Sequence, residues 1–407
     1  MVVSQIIRIL ASKILLTENQ NPTKRYQESD IMEASNTKSS MIDRKGSENN
    51  YCVIFSGGKG SRLWPASRMD RPKQFIDFFG TGRTLLQQTY DRMSRIIPQD
   101  HIYICTAMEF VGRVRQQVPE VQADHVLAEP VNRNTAPALA WAGRRIHRES
   151  DDARIIAVPA DQLIINEEAF ARNVLDGLDF AAKNNIILTM GVKPSRPEPG
   201  YGYIQIGEPT LATGIHKVQS FTEKPNREFA QIFMDSGEFM WNTGMFLMNV
   251  VFLRNWFLKL IPDMPYRMAN LIGKYPLEEE AEFVHNHYPA YPNLSMDKAA
   301  LEMSDEVYVL KCDFGWADIG TWHAMYEFLQ KADGENVVLP GSEILMEDCR
   351  NNIVSMPKGH IAVLNGLDGY IVAEHGDVLL VCPKGDSSAL IRKYVNEVMI
   401  NYGEKFI

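Results

Sequence analysis

Short unbroken apolar runs alternate along the chain with stretches whose apolar positions return every three or four residues. Residues 51–55 form a compact β-prone run that enters a Gly-rich turn, 85–97 read as a helix, and 101–106 as a strand. Within 135–147, the small or apolar positions Ala136, Leu139, Ala140, Gly143 and Ile146 share one side of a helix. Residues 155–158 are apolar throughout, as expected of a strand covered on both faces. This alternation predicts an α/β fold: a Rossmann-like, mostly parallel sheet flanked by helices and joined by right-handed crossovers.

Short strands at 203–206, 215–221 and 245–248 follow, and these are expected to form a second lobe supplying half of a cleft. Helical patterning returns over 251–288, and 307–314 reads as a strand. Beyond Glu335, apolar runs at 337–339, 361–364, 370–373 and 378–382 are separated by Gly, Asn and Asp, and a helix is expected over 388–401. That describes a small C-terminal β-rich module, with no internal repeat evident. The expected division is a flexible N-terminal extension (1–50), a catalytic domain (51–334) and the module (335–407).

Composition narrows the classes. The 407 residues carry a formal net charge of -9, which argues against general nucleic-acid or anionic-membrane partners but leaves room for a locally basic pocket. Cys52, Cys105, Cys312, Cys349 and Cys382 are scattered without CxxC spacing, so buried, reduced thiols in a cytoplasmic setting are expected. The apolar stretch at 6–16 is broken by Arg8, Ser12 and Lys13 and is too short to span a bilayer. The region 17–50 is polar and aperiodic, as a flexible lead-in or an upstream start before Met32 or Met41 would be.

The densest chemical signal is CVIFSGGKGSRLWPASRMDRPKQF, from Cys52 to Phe75. A strand runs into Gly57, Gly58 and Gly60, where backbone amides can approach a phosphate without Cβ obstruction. Lys59, Arg62, Arg68, Arg71 and Lys73 follow against the single acid Asp70, the local excess a polyphosphate pocket needs. A dinucleotide fingerprint would want a third glycine at Leu63, and a P-loop would want Lys-Ser/Thr after Gly60; neither is present. Asp161 stands just past the apolar strand, where open α/β sheets place ligands, and Asp318 follows a second strand and a Gly-Trp turn. Two carboxylates without nearby thiolates or histidines make a hard-oxygen site suited to Mg2+.

The segment resembles the signature of the sugar nucleotidyltransferases, and its RLWPxSRxxxPKQF form is similar to that of mannose-1-phosphate guanylyltransferases. The likeness extends over about 51–397 through EPxxRNTAPA (129–138), VPAD (158–161), PGYGYI (199–204), FTEKP (221–225), WNTGMF (241–246) and GWADIGTW (315–322). It implies the reaction of GTP with mannose 1-phosphate to give GDP-mannose and pyrophosphate, with Asp161 and Asp318 holding the metal. Arg62 and Lys73 would be the catalytic phosphate clamps, Arg62 on the departing pyrophosphate and Lys73 on the reacting phosphates. Gly57, Gly58, Gly60, Glu129, Asn134 and Thr135 would bind the nucleotide; Gly202, Glu223, Lys224 and Asn242 would bind the sugar phosphate. Where relatives carry Asp-His after VPA, this chain has Gln162, and Lys298 replaces a tyrosine in a Ser-x-Asp-Tyr motif, so Asp297 is left out of the sugar pocket. Some relatives continue into an isomerase domain near where this chain ends, so no isomerase activity is expected. A homodimer is left open. The rival readings are another hexose or base, a catalytically silent nucleotide-sugar-binding subunit, and a nicotinamide-dependent dehydrogenase, the last disfavoured by the missing glycine.

Overall fold

The computed structural model describes residues 48–260, 277–330, 332–385 and 387–407; most of the expected N-terminal extension and part of the 251–288 helical stretch lie outside these residues. The apolar runs become, in chain order, β1 (Asn50–Phe55), β2 (Ile102–Ala107), β3 (Val126–Glu129), β4 (Arg154–Pro159), the short β5 (Gln162–Ile164), β6 (Ile187–Val192), β7 (Gly202–Pro209), β8 (Ile215–Glu223), β9 (Phe239–Asn249) and β10 (Val307–Cys312). All but β5 join one sheet in the order β3-β2-β1-β4-β9-β6-β10-β8-β7. The pairings within β3-β2-β1-β4 and between β6 and β10 are parallel, while β9 and β8 run against their neighbours. The expected second lobe is therefore corrected: β7, β8 and β9 are strands of the main sheet.

Alternate side chains of the buried strands feed two cores. Cys52, Ile54, Ile156 and Val158 face one, while Tyr51, Val53, Ile155 and Ala157 face the other. Of six helices that matter here, α1 (Leu85–Met93) starts at a Thr84–Gln87 capping box and stops short of the expected residue 97. The stripe on α2 (Thr135–Glu149) and the apolar face of α4 (Val250–Leu260) cover the second core; α3 (Glu167–Lys183) covers the first with Phe170, Val174 and Leu178. β1 and β4 are parallel, so the Gly-rich loop after one and Asp161 after the other leave the same edge of the sheet.

Downstream come β11 (Trp316–Asp318), α5 (Trp322–Leu329), β12 (Val337–Val338), β13 (Glu343–Glu347), β14 (Ile353–Ser355), β15 (Ile361–Asn365), β16 (Tyr370–His375), β17 (Val378–Pro383) and α6 (Ser387–Tyr402). Here the absence of a repeat is corrected. Glu343 pairs in parallel with Ile361 and Ile353 with Ile371, an advance of 18 residues in each case. The positive-φ positions keep the same step: Gly341 and Gly359, Asp348 and Gly366, Asn351 and Gly369. The module is thus a short parallel solenoid. Its backbone is tied by Asn352, which donates to Asn336 Oδ1 and Leu367 O and accepts from Tyr370 N. β17 closes it by pairing antiparallel to β16. Ile353, Ile371, Leu380 and Ile391 share a core with Leu63, Trp64, Ile319 and Trp322, so the module packs directly on the Gly-rich signature segment.

Among the described residues no helix is long and apolar enough to cross a membrane. Cys52, Cys105, Cys312 and Cys382 are buried as expected; Cys349 is only partly so.

Candidate active site

β1 delivers the chain into the pocket, and the turn beyond it is held from within. The Gln74 side-chain amide donates to Ser56 O and Gly58 O, both at 2.9 Å. Gly60 has φ 66°, a left-handed conformation natural to glycine, and a Cβ there would sit 2.7 Å from Ser67 Oγ and 2.8 Å from Lys73 Cγ. The bend therefore presses the loop onto Lys73, which is only 7% exposed.

Lys73 joins the two aspartates. Its Nζ lies 2.5 Å from Asp161 Oδ2 and 3.9 Å from Asp318 Oδ1, and donates to Ile319 O at 3.4 Å. A small ladder explains how residues so distant in sequence meet: β11 pairs antiparallel with β5, with Asp318 opposite Gln162. Gln162 fixes that ladder, donating to Thr243 O and accepting from Trp316 Nε1. Arg62 also approaches Asp318: a Cβ on Gly320 would be 3.1 Å from both Arg62 Nη2 and Asp318 Oδ2. Burial pushes the Asp318 carboxyl above its ordinary range; Lys73 opposes this, Asp161 adds to it, and Arg62 and Lys224 pull it back. Asp318 does not cap α5, since Thr321 does so by accepting from Ala324 N.

Two carboxylates beside a cation suit a magnesium ion that takes part of its shell from phosphate oxygens, as magnesium commonly does. Among the described residues no group of three His, Cys, Asp or Glu is placed to hold a metal.

The sugar-phosphate candidates lie within electrostatic reach of this cluster, since Lys224 acts on the Asp318 carboxyl. Lys224 has φ 48° and pairs with Glu223; their side chains are 56% and 39% exposed. A Cβ on Gly202 would lie 2.7 Å from the Phe221 ring and 2.9 Å from Glu223 Oε2, so a larger residue there would displace both neighbours. Asn242 donates to Asp297 Oδ1 at 2.6 Å and accepts from Thr189 Oγ1 and Gly244 N. Asp297, set aside on the sequence, thus belongs to this cluster, its carboxyl raised first by burial, with the Asn242 bond opposing and Glu223 adding.

Among the nucleotide candidates, a Cβ on Gly57 would lie 3.2 Å from Glu129 Oε2. Glu129 is buried beneath the loop, accepts from Tyr288 Oη at 2.6 Å, and is pushed up to about 7 by burial despite that bond. Gly58 leaves open space around a built Cβ. Asn134 and Thr135 are used locally: Asn134 Oδ1 accepts from Thr135 N, Thr135 Oγ1 accepts from Met296 N, and Ala136 N donates to Leu294 O. With Pro137 next, the first turn of α2 keeps few backbone amides free for a ligand.

Two of the five basic residues also turn elsewhere. Arg68 donates to His375 O and Pro65 O, and Arg71 to His375 Nε2 at 3.1 Å, so both face the solenoid. The sequence reading missed Asp297, Gln74 and Gly320 as parts of this site. The last two lie inside recognised motifs, and that was the available signal.

Residues 51–334 match the nucleotidyl transferase family. The mannose-1-phosphate guanylyltransferase of Salmonella montevideo is 32% identical over 341 residues, spanning 81% of this chain and 70% of that protein. The alginate biosynthesis protein AlgA of Pseudomonas aeruginosa is 32% identical over 339 residues, 82% and 69% of the two chains. The crystal structure of mannose-1-phosphate geranyltransferase from Thermus thermophilus superposes with a TM-score of 0.77 at 29% identity, covering 86% of this chain and 99% of that one.

Proposed function

The chain belongs to the nucleotidyl transferase family, and on that premise we propose that it makes GDP-mannose and pyrophosphate from GTP and mannose 1-phosphate. The observation that carries the reading is the convergence of Asp161, Asp318, Lys73 and Arg62 beside the Glu223–Lys224 and Asn242–Asp297 pairs. Triphosphate and sugar phosphate both bring negative charge, and this pocket brings fixed cations and a carboxylate pair together. The chemistry is assigned to 51–334, with 335–407 as support.

A sugar phosphate has a second pKa near 6, as phosphate monoesters do, so its oxygen is largely anionic at pH 7. It attacks the α-phosphorus in line without a base; a new P–O bond forms as the bond to the β-phosphate bridging oxygen breaks, and pyrophosphate leaves with that electron pair. Lys224 holds the incoming phosphate, Lys73 the reacting phosphate, and Arg62 the departing one, Arg as a bidentate donor and Lys as a point charge. Glu223, Gly202 and Asn242 orient the hexose, with Asp297 steadying Asn242. Gly57, Gly58 and Gly60 present backbone to the nucleotide, with Glu129 beneath them. A magnesium ion on Asp161 and Asp318 would supply further neutralisation of triphosphate oxygens.

Pyrophosphate release measured with each of four nucleoside triphosphates, against mannose 1-phosphate and glucose 1-phosphate, tests the assignment. GTP with mannose 1-phosphate is the expected best pair. A preference for UTP or dTTP would remove the guanylyl assignment while leaving the family in place.

A further inference from the structure

The signature segment is gripped from outside as well as from within. Trp64 Nε1 donates to Phe406 O at 2.7 Å, near the chain's last residue. Arg68 donates to the backbone carbonyl of His375, and Arg71 to its ring. Leu63 and Trp64, the residues directly after Arg62, are buried in the core that also holds Ile353, Ile371, Leu380 and Ile391. The other wall is held likewise. Trp322 Nε1 donates to Trp64 O at 3.1 Å, Tyr326 Oη donates to Glu335 O at 3.0 Å, and Lys384 lies over the Tyr326 ring. Asp318 is thus only four residues upstream of a helix start whose first side chain is tied to the segment carrying Arg62.

We propose that the C-terminal solenoid is part of the phosphate-handling apparatus, and that His375 is a positioning residue that sets where Arg62 and Lys73 stand. The ring accepts from Arg71 and the carbonyl from Arg68, so one residue fixes both arginines at the turn between Arg62 and Lys73. Arg71 can only donate, so the contact needs the ring nitrogen unprotonated. Burial, then Arg71 and Arg68, lower the His375 pKa, with Asp70 opposing, and this agrees with the geometry. Losing the ring would leave Arg71 partly buried without its acceptor and free the turn to shift. The consequence would fall on the ligand that Arg62 and Lys73 hold, not on the hexose held by β7, β8 and β9. This rests on the proposed assignment of the two cations to the triphosphate.

The test is steady-state kinetics of His375→Ala and His375→Gln in the full chain, forward and in reverse from nucleotide sugar and pyrophosphate. It is run with whichever triphosphate and hexose 1-phosphate the unaltered protein uses best, so failure of the guanylyl assignment leaves it readable. For His375→Ala, KM for the triphosphate and for pyrophosphate should rise about 10-fold, the size expected for a lost hydrogen bond to a charged group. KM for the hexose 1-phosphate should stay within about twofold. His375→Gln, which restores a side-chain acceptor, should recover most of the loss. A fall in kcat with all KM values unchanged, an equal rise in both substrates' KM, or a Gln variant as impaired as Ala would overturn the proposal. Should His375→Ala fail to fold, Trp64→Phe removes the indole donor to Phe406 and must give the same split.

Discussion

The proposed phosphate and sugar sides of the site are built on different terms. Lys73 is 7% exposed, pressed by Gly60, paired with Asp161 and bonded to Ile319 O, so its charge has one address before any ligand arrives. Glu223 and Lys224 lie on the open end of β8 and just beyond it, neutralising each other in solvent. A preorganised charge costs no reorganisation when negative charge develops, whereas an exposed pair gives little until a ligand separates it. Under the proposed function, the buried side would drive the step and the exposed side would choose the substrate.

The contrast would break first at the buried lysine and the partly buried aspartates beside it. Asp161→Asn, Asp318→Asn and Lys73→Ala should each lower kcat roughly 10²- to 10³-fold, with circular dichroism unchanged. Near-normal turnover in both aspartate variants would refute the shared metal site. The next effect is on stability. Glu129 is raised from 4.5 to about 7, so the folded state binds the extra proton between those values. Its contribution is fully present below about pH 4.5 and is lost as pH rises through about 7, an effect of order 3 kcal/mol. Denaturant melts of Glu129→Gln should lack that component of the pH slope; an unchanged slope would show that Glu129 ionises freely. The smallest effect belongs to the exposed side. Lys224→Ala should raise KM for the sugar phosphate about 10-fold, one charge-assisted bond, and leave the melting midpoint where it was. A loss as large as that of Lys73→Ala would erase the distinction.

β1 and β4 were legible because both faces are covered, which writes them as unbroken apolar runs such as residues 155–158. β7 and β8 were misread as a separate lobe for the converse reason. Their outer reaches, such as Gly207–Pro209 and Lys217–Ser220, are half-exposed, so they look like local strands instead of the margin of a wide sheet. The solenoid's 18-residue step lies in backbone conformation, where Gly, Asp and Asn stand in for one another at positive φ, so residue identity hides it. At the site, motifs named the residues but not their meeting. Asp161 and Asp318 come together through two three-residue strands, too short to leave a periodic trace. The basic run suggested a polyphosphate pocket, yet a one-dimensional pattern carries no direction, and Arg68 and Arg71 turn to His375.

The reversal of β17 against β16 also limits how the protein could change in length. A parallel coil grows by stacking one more turn on an open end, but here that end is sealed by a strand running the other way, and α6 leads back from it to rest on Ser61–Leu63. Extra turns appended after β17 would lift that helix from the segment carrying Arg62. Extra turns that leave α6 seated on that segment therefore belong inside the stack, between β12 and β16.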